Sequence, residues 1–349
     1  MTPSKRILVD IGHPAHVHLF RNAIKIWESH GHTVAITTRE KDVATDLLDA
    51  YGFTYDVVSK ARRGTLGLAR ELFEHDYGVL SAALHNRSKI LIGTSVSITH
   101  VAPFIGAKSI VFNEDDASVA KTFVRLSYPF AHKIVTPVTL NEDHGKKHVT
   151  YEGFQKLAYL HPKYFTPDPQ VIEKLGLTPG DPYFLLRFVS HKAAHDKGEF
   201  GMNLGLQLKM VDILRQKGQV FITSEAPLHH EMEPYRIKID PSEIHSVMAF
   251  ASIFIGDSQS MNVEAAILGV PSLRINSFAD RCSILQELEN KYQLTYAYFP
   301  SQEQEIFDHL NSWLSDEDLK AKWEQKRQQM LNDKIDVTAW MVDFIEGLN

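Results

Sequence analysis

Two rhythms of apolar and polar positions alternate along this chain. Short apolar runs bounded by polar turns read as buried strands, and the longer stretches between them, apolar at helical spacing, read as amphipathic helices. In the first half the strands fall at Arg6–Ile11, Thr33–Thr38, Phe53–Val58, Lys89–Ile92, Ser109–Phe112 and Lys133–Val135. Helices fall at Val17–His30, ending at Gly31, at Lys41–Tyr51, stopped by Gly52, and at Thr65–Asn86, where Gly67 and Gly78 weaken the pattern. The rhythm pauses after Gly153, where Pro162, Pro167, Pro169, Pro179 and Pro182 suit a linker.

Alternation then restarts. Tyr183–Val189 and Val220–Thr223 read as strands around a helix at Leu204–Lys217, followed by a short strand near Arg236–Ile239 and a helix at Ser242–Phe250. Next come an apolar run ending at Gly256, a polar turn, a two-turn helix closed by Gly269, and a strand from Pro271 to Ile275. Leu294–Tyr298 and charged helices complete the chain, the last near Val337–Leu348. Strands alternating with helices predict mostly parallel, doubly wound sheets with right-handed crossovers. At 349 residues, two domains are expected: residues 1–155, with a terminal helix at about 335–349 packing back on them, and residues 156–334. Ligands of such sheets bind beyond the carboxyl ends of the strands, so two in tandem predict a cleft between those ends.

Composition narrows the class only slightly. Apolar residues at 44% and charged residues at 23% are ordinary for a globular chain. Lys and Arg number 37 against 43 Asp and Glu, a net charge of −6 that does not suggest a nucleic-acid binder. Cys282 is the one cysteine, which excludes an internal disulfide and a cysteine zinc cluster. The first apolar run is too short for a signal peptide, and no apolar run is long enough to span a bilayer, so a cytoplasmic protein is expected.

The candidate chemistry sits in turns after strands. In Asp10-Ile11-Gly12-His13-Pro14-Ala15-His16-Val17-His18, Gly12 permits a tight turn, and His13 or His16 can serve as an acid–base or phosphate-binding group. His18 belongs to the helix, and the histidine spacing matches no zinc motif. In Asn113-Glu114-Asp115-Asp116, consecutive acids suit acid–base chemistry with split pKa values, or acceptor binding, or an acidic helix cap; Glu114 and Asp115 are favoured. Arg187, within an apolar strand, needs a carboxylate or phosphate near the strand's end. Ser190, His191, Lys192 and His195 follow in a loop suited to a diphosphate. Thr223-Ser224-Glu225 is placed to line a base or ribose. In Gly256-Asp257-Ser258-Gln259-Ser260-Met261-Asn262-Val263-Glu264, a strand feeds a helix N-terminus whose unsatisfied N–H groups suit a phosphate. Glu264 follows Ser260 by one turn, where it can accept from sugar hydroxyls. The basic run Lys60-Ala61-Arg62-Arg63-Gly64 can hold an anionic acceptor or touch a membrane surface, or be a solvated loop.

The pattern Gly-Asp-Ser-x-Ser-x-x-x-Glu-Ala-x-x-x-Gly-x-Pro at Gly256–Pro271 resembles the nucleotide-sugar motif of GT-B-fold enzymes. It is similar to the Asp-Ser-Gly-Gly-x-x-x-Glu-Glu region of the non-hydrolysing UDP-GlcNAc 2-epimerases. Gln259-Ser260 stands in place of the glycine pair and Ala265 in place of the second glutamate. Where the epimerases carry Val-Glu-Ala-Gly-Leu-Arg, this chain has Phe112-Asn113-Glu114-Asp115-Asp116-Ala117, so Glu114 alone aligns with their catalytic glutamate. Over nearly its whole length the chain resembles a GT-B-like family of unknown function from bacteria and archaea, through the turns at Asp10–His16, Asn113–Asp116 and Gly256–Ser258.

The resemblance implies a GT-B-like fold, two Rossmann-like doubly wound domains facing each other across a cleft. It implies a nucleotide-diphosphate sugar held by Ser258, Gln259 and Ser260 at the diphosphate and by Glu264 at the ribose. The expected activity is a GT-B glycosyltransferase serving surface polysaccharide or glycoconjugate assembly, with a glycan or lipid-linked acceptor and His13, His16, Glu114 or Asp115 as base. No metal or other cofactor is required, because helix dipole and cations stabilise the leaving diphosphate. The alternatives are an epimerase or hydrolase acting without acceptor, and a non-catalytic sugar-nucleotide binder. The protein is placed in the cytoplasm, with peripheral contact at the inner face of the membrane as a further expectation, and its oligomeric state stays open.

Overall fold

A computed structural model describes residues 3–40, 42–62, 64–189, 200–224 and 227–348. The chain divides into two compact units, residues 1–164 with 334–349, and residues 165–333. Each is a parallel α/β unit.

In the first unit the strands are β1 (Arg6–Ile11), β2 (Thr33–Glu40), β3 (Asp56–Lys60), β4 (Ile90–Gly93), β5 (Lys108–Phe112), β6 (Lys133–Pro137) and β7 (His148–Tyr151). They form one parallel sheet in the order β3-β2-β1-β4-β5-β6-β7. The central strand β1 buries Ile7, Leu8, Val9 and Ile11, as a strand covered on both faces must. On one face the Pro14–Ser29 helix buries Val17, Phe20, Ala23, Ile24 and Trp27. On the other, Leu8, Leu91, Val111 and Ile134 form a core with Val79 and Ala83 of the Thr65–His85 helix and Ile98 and Val101 of the Ser97–Ile105 helix.

The unit ends at residue 164 rather than 155, because the Leu157–Leu160 turn docks on the Pro14–Ser29 helix. The Ala158 carbonyl accepts from Asn22 Nδ2 at 2.8 Å and from Thr338 Oγ1 at 2.7 Å. Thr338 belongs to the Val337–Glu346 helix, which packs on the same two elements and is capped by Asp336 accepting from the Ala339 N–H at 2.9 Å. Strand β7 carries little apolar pattern and was not expected.

In the second unit the strands are β8 (Tyr183–Phe188), β9 (Gln219–Ser224), β10 (Ile253–Gly256), β11 (Ser272–Ile275) and β12 (Thr295–Tyr298), in the parallel order β12-β11-β10-β8-β9. The strand expected at Arg236–Ile239 does not form. Arg236 makes one bridge to Ile222, after a 3₁₀ turn at Glu233–Tyr235 that ends the run of extended backbone.

Both orders reverse direction once. In the first unit the switch lies between β1 and β4, and in the second between β8 and β10. Helices leave the two strands at such a point toward opposite faces, opening a crevice beyond the carboxyl ends. Gly256, the last residue of β10, is at such a point. A Cβ there would lie 2.8 Å from the Arg187 carbonyl oxygen on β8, so only glycine lets these strands close up.

Candidate functional site

At the second unit's switch point, β10 passes through Asp257 into the Gln259–Leu268 helix. Ser258 is its N-cap, the hydroxyl accepting from the Met261 N–H at 3.4 Å. The N–H groups of Gln259 and Ser260 point along the helix axis toward the strand ends with no intrahelical carbonyl to meet. Ser258, Gln259 and Ser260 are half-buried, so their polar atoms reach the surface there. Asn262, one turn on, is fully buried and donates to the Ser258 carbonyl at 2.7 Å, while its own Oδ1 meets no donor among the described residues.

Asp257 organises the loops around this turn. Its Oδ1 accepts the Val189 N–H at 2.8 Å, just after β8. Its carbonyl accepts from Asn276 Nδ2 at 3.2 Å, just after β11. A Cβ on Gly201 would fall 2.1 Å from Asp257 Oδ2, so the segment returning after β8 also presses on this carboxylate. Ser190 and His191, and the neighbouring Lys192 and His195, lie outside the described residues. Arg187 donates from Nη1 to the Thr223 hydroxyl on β9 at 2.9 Å, beside half-buried Ser224.

Glu264 is buried on the same helix, and its Oε1 lies 3.3 Å from Nε2 of His245, itself buried on the Ile244–Phe250 helix. Arg274 on β11 is buried as well and donates to the Ala279 carbonyl. Its Nε and Nη1 meet no acceptor among the described residues, and burial holds its pKa below the ordinary value.

In the first unit the chemistry gathers at the end of β1. Asp10 is buried and accepts from the Thr37 hydroxyl at 2.7 Å. His75, on the Thr65–His85 helix, places Nε2 3.0 Å from both Asp10 oxygens, with its Nδ1 2.7 Å from the Ser59 hydroxyl. Burial opposes charge on Asp10. The His75 charge and hydrogen bonds from His75, Ser95 and Thr37 outweigh it, so the carboxyl titrates below its usual range. Burial likewise opposes charge on His75, and Asp10 reverses that, so its pKa is raised.

Beyond Asp10 the turn runs through Gly12, whose carbonyl accepts from Arg39 Nε at 3.0 Å. Arg39 is paired with Glu71 at 3.0 Å. His13 caps the Pro14–Ser29 helix, its Nδ1 accepting from the Ala15 N–H at 3.2 Å. The His16 ring lies 5.8 Å from that of His13, and its buried Nδ1 meets no partner among the described residues. Burial first, then the charges of His13, Arg39 and Lys156, push its pKa down to about 3 against the pull of Asp10. His16 is therefore neutral at pH 7. His18 stacks on Tyr159 at 5.2 Å as a packing residue.

Glu114, after β5, is a buried carboxylate that accepts the Gln155 N–H at 2.6 Å and pairs with Lys156. Asp115 is exposed, and its turn is set by Asn113, whose Nδ2 donates to the Asp115 carbonyl at 2.7 Å. The fold thus brings His13, His16 and Arg39 to one end of the sheet, with Lys156, the partner of Glu114, within electrostatic reach of His16. His75, Ser95, Arg39, Lys156 and His245 were missed in the sequence. His75 alone left a signal, since a polar residue on the apolar face of an amphipathic helix needs a buried partner. Among the described residues, His229, His230 and Glu231 form a group able to hold a metal ion, on a surface turn of the second unit.

These features accord with the proteins the chain is similar to. In three dimensions it matches the spinosyn forosaminyltransferase SpnP with a TM-score of 0.65 at 12% identity, covering 99% of this chain and 100% of that one. It matches a UDP-N-acetylglucosamine 2-epimerase with a TM-score of 0.66 at 12% identity, covering 94% of each chain. The UDP-GlcNAc 2-epimerase from Neisseria meningitidis, bound to UDP-GlcNAc, matches with a TM-score of 0.64 at 12% identity, covering 96% of this chain and 98% of that one. The fold is that of GT-B glycosyltransferases and these epimerases, two Rossmann-like parallel-sheet units. By sequence, the uncharacterized protein MJ0665 of Methanocaldococcus jannaschii is 22% identical over 283 residues, 76% of this chain and 80% of that protein. Residues 5–337 match the family described as "Protein of unknown function (DUF354)", and the chain belongs to that family.

Proposed function

We propose that this member of the DUF354 family is a GT-B-type glycosyltransferase that passes a sugar from a nucleotide-diphosphate donor to a glycan or glycoconjugate acceptor of surface polysaccharide assembly. The observation that carries the reading is the N-terminus of the Gln259–Leu268 helix at the β8/β10 switch point, with Ser258 as its cap. Unsatisfied N–H groups and the helix dipole favour an anion there. In this reading Ser258, Gln259 and Ser260 hold the diphosphate, and Arg187, Ser190 and His191 add to it. Glu264, positioned by His245, and Ser224 take the ribose and base.

The first unit's residues take the acceptor. His16 is neutral at pH 7 and half-buried, so in this reading its ring accepts the hydroxyl proton as the new glycosidic bond forms. Asp10 stabilises the resulting imidazolium. His13 and Gly12 shape the turn, Asp115 offers an exposed carboxylate to acceptor hydroxyls, and Glu114 with Lys156 holds the neighbouring turn in place. The bond to the departing diphosphate breaks against the helix dipole and its cations, and this reading needs no metal.

Calorimetry with a panel of UDP-, GDP-, CMP- and dTDP-sugars tests it, followed by turnover with candidate acceptors. The equal likeness to epimerases supports a second reading, epimerase or hydrolase chemistry on the donor alone. That reading requires turnover without acceptor in an NMR time course. A non-catalytic binder requires binding with no turnover under either condition.

A further inference from the structure

The Thr65–His85 helix of the first unit is apolar on two opposite faces. One face packs Val79, Ala82 and Ala83 into the core. The other carries Leu66, Phe73, Tyr77 and Leu84, which are 88%, 74%, 69% and 58% exposed. They are spaced seven, four and seven residues apart, which aligns them in one narrow stripe along a helix. Leu80, partly buried, continues the stripe toward the neighbouring helix.

The patch extends across that neighbour. His100 of the Ser97–Ile105 helix binds Asp76 of the first helix at 2.9 Å, and its ring meets Phe130 edge-on at 5.9 Å. Phe130 and Phe104, at 57% and 84% exposure, therefore belong to the same side of the unit. Single exposed apolar side chains are ordinary, but a run of six across three adjoining elements marks an interaction surface.

Charge selects the partner. The chain carries a net charge of −6, yet residues 60–89 hold six Lys and Arg against three Asp and Glu. The three acids are occupied: Glu71 pairs with Arg39, Glu74 with Arg62 and Arg70, and Asp76 with His100. Lys60, Arg70, Arg87 and Lys89 are exposed around the stripe, Lys60 pairing with Glu40 at 2.8 Å and Arg70 with Glu74 at 2.7 Å. A second copy would set this basic surface against itself, which like charge opposes. A bilayer rich in anionic lipid matches both features, taking apolar side chains into the acyl boundary and cations at the headgroups.

We infer that this face docks on an anionic membrane surface, with Leu66, Phe73, Tyr77 and Phe104 inserted and Lys60, Arg70, Arg87 and Lys89 at the headgroup level. The inference rests on no part of the nucleotide-sugar reading.

The test is co-sedimentation of the full chain with vesicles of phosphatidylcholine, alone or mixed with phosphatidylglycerol. Binding to the mixed vesicles that weakens with salt, with little binding to phosphatidylcholine alone, is expected. The variant Phe73→Ser/Tyr77→Ser changes only exposed positions, so its melting temperature and circular dichroism should match wild type. Its partition onto mixed vesicles should fall about tenfold or more. Arg70→Glu/Arg87→Glu should remove the salt-sensitive part. Failure to bind mixed vesicles, equal binding to both compositions, or binding indifferent to Phe73→Ser/Tyr77→Ser would overturn it. So would a concentration-dependent dimer that the same variant abolishes, since a second copy would then own the patch. Nucleotide-sugar calorimetry on this variant should equal wild type, so each claim can fail without the other.

Discussion

His75 Nε2 stands 3.0 Å from both carboxylate oxygens of Asp10, joining the Thr65–His85 helix to the end of the central strand. Both side chains are buried, so His75→Gln leaves an uncompensated carboxylate and should cost about 3 kcal/mol, roughly 10 °C in melting temperature. The pH dependence has two edges. Raised above its ordinary 6.5, His75 contributes fully below that value and loses the contribution as pH rises through the folded pKa. Depressed below its ordinary 3.8, Asp10 contributes fully above that value and loses the contribution as pH falls through the folded pKa. The difference between wild type and His75→Gln should therefore be largest between about pH 4 and 6.5 and shrink on either side, read by denaturant titration across pH.

His16 has the opposite sign. With a folded pKa of about 3 against an ordinary 6.5, the unfolded chain takes up this proton first, so the group lowers stability progressively as pH falls from 6.5 toward 3. Imidazole NMR should show His16 neutral through that range, and His16→Asn should flatten this part of the stability profile. An ordinary titration near 6.5 would contradict the shift that burial imposes on this ring.

The Glu114–Lys156 pair complicates any reading of activity loss. Glu114→Gln removes the carboxylate that faces a mostly buried ammonium and should destabilise by about 3 kcal/mol. Glu114→Gln/Lys156→Met should recover most of that in thermal melts. Activity lost in the single variant and restored in the double would mark Glu114 as a positioning residue, whereas loss in both at full stability would mark it as catalytic.

Much of this was legible in the sequence because the signals are local. Apolar runs and glycine stops place the strands, the helices and the turn after β10 within a few residues. The resemblance at Gly256–Pro271 named the fold. Strand β7 was not legible, since His148, Thr150 and the exposed backbone around them carry no apolar run. Nor was the pairing of Glu114 with Lys156 or of Glu264 with His245, because partners far apart in the chain are set by topology.

The packing of Gly201 on Asp257 gives a further expectation. Gly201→Ala forces a Cβ toward the carboxylate that holds the Val189 N–H, and should weaken donor binding about tenfold while costing about 1–3 kcal/mol of stability. Calorimetry and thermal melts on the same preparation separate the two effects.

The central claim is that the helix N-terminus after β10 holds a nucleotide diphosphate. Titrating nucleotide sugars and free nucleoside diphosphates into the wild-type protein and Ser260→Asp measures it directly. A carboxylate in the first helical turn suits the dipole, so this variant should fold at least as stably as wild type, yet repel a second anion. At least one nucleotide diphosphate should bind wild type with a micromolar-range Kd, and Ser260→Asp should weaken it by about a hundredfold. Folded wild-type protein that binds none of them, or a Ser260→Asp variant that binds as tightly as wild type, would contradict it.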